Sequence, residues 1–165
     1  MTGTGVVELL SVEFGRGKGN ISVRVSGNGP PVLYLHSEIG LTWDNFLAEA
    51  YRAQINMALD RIWTTGVPND WEVAEANLLL SFFTGQGIDN YNATFTLDGV
   101  ALDMTRDNAL VACNGVTAMI ATKLDRASYV NEVWALPPPV GNSRYYSGIM
   151  GLTALLMLSG QYIIW

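Results

Sequence analysis

Residues 43–63, WDNFLAEAYRAQINMALDRIW, decide the fold, because the chain changes character there: upstream it reads as strand and turn, downstream almost entirely as helix. Phe46, Leu47, Ala50, Ile55, Ala58, Leu59 and Ile62 fall mostly three or four apart, which places them along one side of a helix of about five turns. Asp44 is the expected N-cap, and Gly66 with Pro68 the expected stop. The same segment carries Glu49, Arg52, Gln54, Asn56 and Asp60, more polar groups than packing alone requires.

Upstream, residues 6–14 and 21–25 alternate and are rich in β-branched side chains, with GRGKGN between them, the pattern of a β-hairpin. After SGNGPP, residues 32–35 (VLYL) form a continuously apolar and therefore buried third strand. Downstream, helices are expected at 71–83 (capped by Asn69 or Asp70, with Val73, Ala76, Leu79, Leu80 and Phe83 apolar), 108–122, 126–135 and 147–158. A hairpin turning at Asp98-Gly99 is expected within 91–102, and Pro137-Pro138-Pro139 interrupts helix. Strands followed by consecutive helices give a mainly α fold, residues 1–42 forming a three-strand segment and 43–165 an array of helical hairpins, folded together as one domain.

At 165 residues the chain has the size of a single domain, and 49% hydrophobic against 15% charged residues excludes disorder. A net charge of −6 without a basic patch argues against a nucleic-acid partner. Residues 149–158 are too few to cross a bilayer about 30 Å thick, so no membrane span is expected. MTGTGVVELLSVE lacks the regions of a secretory leader, and the location stays unassigned. Asn92-Ala93-Thr94 is read as a chance sequon. Cys113 sits in apolar LVACNGV and is a packing residue. His36 is the only histidine, and no carboxylate spacing suggests a metal site; no cofactor is expected.

The stretches EAYRAQINMALDRIW, DWEVAEANLLLSFFTGQG, YNATFTLDGVAL, NALVACNGVTAMIAT and SRYYSGIMGLTALLMLSGQYIIW resemble the C-terminal part of family-eight glycoside hydrolases over residues 49–165. The resemblance implies part of an (α/α)6 barrel and hydrolysis of β-1,4-linked xylan or glucan oligosaccharides. ISVRVSGNGPPVLYLHSEIGLTWDNFL resembles the opening of an α/β-hydrolase, so that the whole reads as a chimera joined near 48–51. Its His36-Ser37-Glu38 lacks the loop glycine, and no Gly-x-Ser-x-Gly follows, which leaves an esterase as the weakest reading.

Inverting hydrolysis needs an acid and a base carboxyl roughly 6.5–9.5 Å apart. The resemblance implies that the acid lies before the matched stretches and is missing here, and that the base corresponds to Glu49, a glutamate in place of an aspartate. Glu49 otherwise reads as a solvated helix residue. Arg52 is a sugar ligand or one half of an ion pair; Tyr145 and Tyr146 are sugar-stacking platforms or packing at the start of the last helix. Asp60 is expected to pair with Arg61 or cap a neighbour, and Asp103 and Asp107 to flank Arg106 in a polar loop. The apolar inner face of a part-barrel predicts a homodimer or higher homo-oligomer. The alternative function is a non-catalytic, self-assembling helical protein with weak carbohydrate binding.

Overall fold

The computed structural model describes residues 10–14, 17–24, 32–36, 45–46, 48–64, 70–96, 99–122, 126–142 and 144–162, and only the backbone of those before 50 and of 63–64 and 70. The expectations for Asp44, Gly66, Pro68, Ser37, Glu38 and Asp98 fall outside these residues. Three antiparallel strands come first: β1 (Leu10–Phe14), β2 (Gly17–Arg24) and β3 (Val32–His36), in spatial order 1-2-3. Leu10 opposes Ile21 and Phe14 opposes Gly17, so residues 17–20 of the expected turn are themselves strand. Ile21 opposes Leu35 in the second ladder.

The helix expected from residue 43 starts five residues later. Asn45–Phe46 is instead a short strand, β4, paired antiparallel with β5 (Phe95–Thr96), and this ladder holds its backbone extended. The helices are α1 (Ala48–Thr64), α2 (Asp70–Gln86), α3 (Asn108–Thr117), α4 (Arg126–Trp134) and α5 (Arg144–Leu158). This is the expected partial array of helical hairpins behind a three-strand segment. α3 stops five residues early, in a turn closed by Met119 N to Val116 O and Ile120 N to Thr117 O. None of these helices is long and apolar enough to cross a membrane. The expected tight turn within 91–102 is present around Gly99, whose φ of 83° suits glycine and whose N–H bonds Thr96 O.

α3 is the hub. Residues 109–117 are all buried, and their small side chains (Ala109, Ala112, Gly115) let neighbours approach closely. A Cβ on Gly115 would lie 2.2 Å from Val133 Cγ2, so α4 packs against α3 at van der Waals limit. α1 and α5 flank α3 and run in its direction, since Tyr51 and Ser147, near their N-termini, both reach Asp107 at the start of α3. α2 and α4 run back: α4 begins beside the end of α3, where Arg126 donates to Ala121 O, and α2 begins beside Asp60 near the end of α1.

The buried face of α1 differs from its apolar stripe: Tyr51, Gln54, Ile55, Met57 and Ala58 are buried, while Ile62 is 46% exposed. Buried hydrogen bonds explain the polar members. Thr117 Oγ1 donates to Gln54 Oε1 at 3.1 Å, and Tyr129 Oη donates to Leu80 O at 2.8 Å with Thr84 Oγ1 at 2.9 Å. Asn77 grips Thr122 twice, through its hydroxyl and its amide. Phe82, Phe83, Tyr91 and Phe95 form an aromatic cluster with edge-on contacts between α2 and the 91–96 segment.

Candidate functional site

Because α1, α3 and α5 share a direction, their N-termini lie at one end of the array, where unpaired N–H groups concentrate partial positive charge. Asp107 sits at the middle of this end. It is the N-cap of α3, its Oδ1 accepting from Ala109 N at 2.8 Å. Its Oδ2 accepts from the hydroxyl of Tyr51 at 3.0 Å, and Ser147 Oγ lies 3.5 Å from Oδ1. One carboxylate thus ties three helices together.

The network opens outward from there. Tyr51 is only 2% exposed, and burial, reinforced by the Asp107 charge, pushes its phenol far above the ordinary value. Its hydroxyl is also hydrogen-bonded to that of half-buried Tyr146. Burial raises the Tyr146 phenol to about 12, against the opposing pull of the Arg52 cation. The exposed Arg52 guanidinium lies 6.0 Å from the Tyr146 ring centroid, a cation–π pair.

Two of the expected ligands, Arg52 and Tyr146, are therefore brought together. Tyr145 is not with them: at 78% exposure it points to the outer side of α5. Glu49 lies in the first turn of α1, one turn before Arg52, with its side chain outside the described atoms. Asp103 and Asp107 do not act together, since Asp103 only accepts from Thr105 N in its loop. Arg106 turns away to Glu132 of α4 and stands over the Tyr91 ring at 5.6 Å. Cys113 is fully buried and its thiol is pushed up by that burial.

Asp107 as a hub and Trp134 as a cleft residue are not evident from the sequence pattern. The signal for Asp107 was its position directly before an apolar helix, where aspartate caps. Trp134, 58% exposed, stands with Pro137, Pro138 and Pro139 on one wall of a cavity of about 350 Å³. Gly148, Gly151, Leu152 and Leu155 form the opposite wall, and Ser147 and Asn108 connect the cavity to the Asp107 end. At the other end of the array, Asp60 shares a hydrogen bond with Glu72. Glu72 and Glu75 are buried at 2% and 4% exposure, two carboxyls that an apolar-stripe reading of α2 passes over. Among the described residues, no three His, Cys, Asp or Glu side chains gather to hold a metal.

A mainly helical array of this kind matches part of a helical barrel, and known proteins of similar sequence and structure agree. No family model matches the chain. It is 28% identical over 138 residues to the reducing-end xylose-releasing exo-oligoxylanase Rex8A of Paenibacillus barcinonensis, covering 82% of this chain and 34% of that protein. It is 29% identical over 126 residues to the reducing-end xylose-releasing exo-oligoxylanase of Halalkalibacterium halodurans, covering 74% and 32%. Among solved structures, a family-eight glycoside hydrolase from Teredinibacter turnerae in complex with xylobiose superposes with a TM-score of 0.69 at 30% identity, over 84% of this chain and 36% of that one.

The chain thus contains a region related to family-eight glycoside hydrolases, and spans about a third of the length of these relatives. The match of 138 residues is longer than the segment from 49 to 165, so it runs across the expected junction at 48–51. These matches give that junction, and the separate hydrolase-like origin of the strands, no support.

Proposed function

We propose that this chain forms one side of a cleft that hydrolyses β-1,4-linked xylo-oligosaccharides, with Glu49 as the carboxylate that activates water and Arg52 and Tyr146 as sugar ligands. The observation that carries this reading is the Arg52–Tyr146 pair, one turn from Glu49, at the end of the array where three helix N-termini meet. An aromatic ring beside a multivalent donor suits a sugar, which offers an apolar ring face and a rim of hydroxyls. The first turn of a helix favours an ionised carboxylate, the state a general base requires. Relatives of this region are xylan-degrading enzymes solved with xylose, xylobiose and xylohexaose.

The general acid is the missing part. Asp107 caps α3 and accepts from Tyr51, so it holds its lone pairs in structural bonds and does not serve as proton donor. Turnover depends on a carboxyl from beyond the matched region. The test is reducing-sugar release from xylohexaose by the wild type and Glu49→Gln. Release by the wild type, falling about a hundredfold or more in the variant with binding retained, supports the assignment; equal rates remove Glu49 as base.

A second reading, a non-catalytic helical protein that assembles with itself, is favoured by α5. Its outer face carries Tyr145 (78% exposed), Ile149 (42%), Leu152 (59%) and Leu156 (36%), an apolar stripe at helical spacing. Oligosaccharide binding without turnover, together with a dimer in light scattering, supports it. A particle of 18.0 kDa at micromolar concentration refutes the dimer.

A further inference from the structure

We propose that Asp107 is a positioning residue that sets the direction of a hydrogen-bond relay through Tyr51 to Tyr146, so that Tyr146 meets a sugar as an acceptor of one of its hydroxyl protons. This rests on the sugar-cleft reading above and adds to it a residue and a polarity.

Counting protons fixes the polarity of the relay. A carboxylate accepts and does not donate, so the Tyr51 hydroxyl, 3.0 Å from Asp107 Oδ2, gives its single proton to Asp107. The contact between the Tyr51 and Tyr146 hydroxyls then uses the proton of Tyr146. With that proton directed inward, the Tyr146 oxygen turns lone pairs toward any further partner. The relay runs from buried Tyr51 to half-buried Tyr146 under the exposed Arg52 cation, so its outer end lies at the surface. Arg52 supplies donors and Tyr146 an acceptor, a complementary pair for neighbouring sugar hydroxyls. Asp107 itself is fixed from behind by Ala109 N at 2.8 Å, and Ser147 Oγ approaches the same oxygen, so the anchor does not swing.

Asp107→Asn isolates the polarity. Its oxygen keeps the α3 cap and its amide nitrogen replaces Oδ2, donating to Tyr51; the Tyr51 proton then turns to Tyr146 and the relay reverses. Two measurements are made on the full chain. Isothermal titration with xylobiose is expected to show about tenfold weaker binding for Asp107→Asn and for Tyr51→Phe, with no further loss in the double variant. The ¹³C resonance of the Tyr146 ring carbon bearing oxygen, assigned with Tyr146→Phe, is followed with pH. Loss of the Asp107 charge is expected to lower its titration midpoint, and by more when the Tyr51 hydroxyl is present to donate to Tyr146 than in a Tyr51→Phe background, where only the Coulomb effect of Asp107 remains; an equal shift in the two backgrounds overturns the relay. If Asp107→Asn unfolds, Tyr51→Phe carries the binding arm and Asp107→Ser, which retains a cap, carries the titration. An unmoved Tyr146 midpoint overturns the relay. Undiminished xylobiose affinity in both variants overturns its role in recognition, and a wild type that binds no xylobiose overturns the sugar-cleft reading itself.

Discussion

Glu75 is the residue whose replacement tests the packing of α2 most directly. It is 4% exposed on a helix face otherwise made of Ala76, Leu79, Leu80 and Phe83, and its Oε1 has no hydrogen-bond partner. Burial raises its carboxyl from 4.5 to about 7. The sign follows from proton binding. Between these values the folded state holds the proton and the unfolded state releases it, so stability falls as pH rises through the window. Below 4.5 both states are protonated and the penalty is absent; above about 7 it is complete. The shift corresponds to about 3 kcal/mol, an upper value because the unfolded chain is itself not fully solvated. Glu75→Gln keeps the shape of the protonated acid and removes the ionisation. The variant is expected to exceed the wild type by about 2–3 kcal/mol at pH 8, or about 5–10 °C in midpoint, and to come within about 1 kcal/mol of it at pH 5. Urea unfolding followed by far-UV circular dichroism from pH 5 to pH 8 measures the difference. Comparing variant with wild type at each pH also cancels the contribution of Glu72, which burial and its bond to Asp60 raise in the same direction. A gap that does not change with pH, or a variant less stable at pH 8, refutes the claim that the folded state buries this charge.

Gly115→Ala places a methyl 2.2 Å from Val133 Cγ2 and is expected to destabilise by about 1–3 kcal/mol, with partial recovery in the double variant with Val133→Ala; urea midpoints decide this. Glu132→Gln removes the charge that pairs with Arg106, both side chains being about a third or less exposed; a loss near 1 kcal/mol that shrinks in 1 M salt is expected in the same assay. Cys113 is expected to resist Ellman's reagent in the native protein and to react once in urea, since it is fully buried; rapid native labelling is the contrary outcome.

Helix periodicity made the array legible, because apolar residues three and four apart mark a buried face whatever lies opposite. What it misplaced were the polar exceptions. Residues 45–46 carry no strong strand signal; their extended state comes from β5, about fifty residues away, which no local pattern encodes. The buried face of α1 passes through Tyr51 and Gln54 instead of Ile62, because Asp107 and Thr117 supply partners that burial of a hydroxyl and an amide requires. Glu72 and Glu75 were hidden by the same assumption that carboxyls face water. Of the candidate ligands, Arg52 and Tyr146 meet through the parallel course of α1 and α5 about α3, whereas adjacent residues on a helix face different ways, so Tyr145 parts from Tyr146.

The two ends of the array are electrostatically unlike, and this bears on the proposed sugar cleft. At one end, three helix N-termini surround Asp107, whose carboxylate accepts from a backbone N–H and from Tyr51, with Ser147 close by. Arg52 adds a formal positive charge there. At the other, Asp60, Glu72 and Glu75 crowd near the start of α2, and burial raises Glu72 and Glu75. A base that withdraws a proton from water works in the first environment, where negative charge is already solvated by fixed donors. The second environment makes better acids than bases, but α1 is 17 residues long, so Asp60 lies about 16 Å along its axis from Glu49. That distance exceeds the span of an inverting pair. On the sugar-cleft reading, Asp60 is therefore too far from Glu49 to be its acid partner.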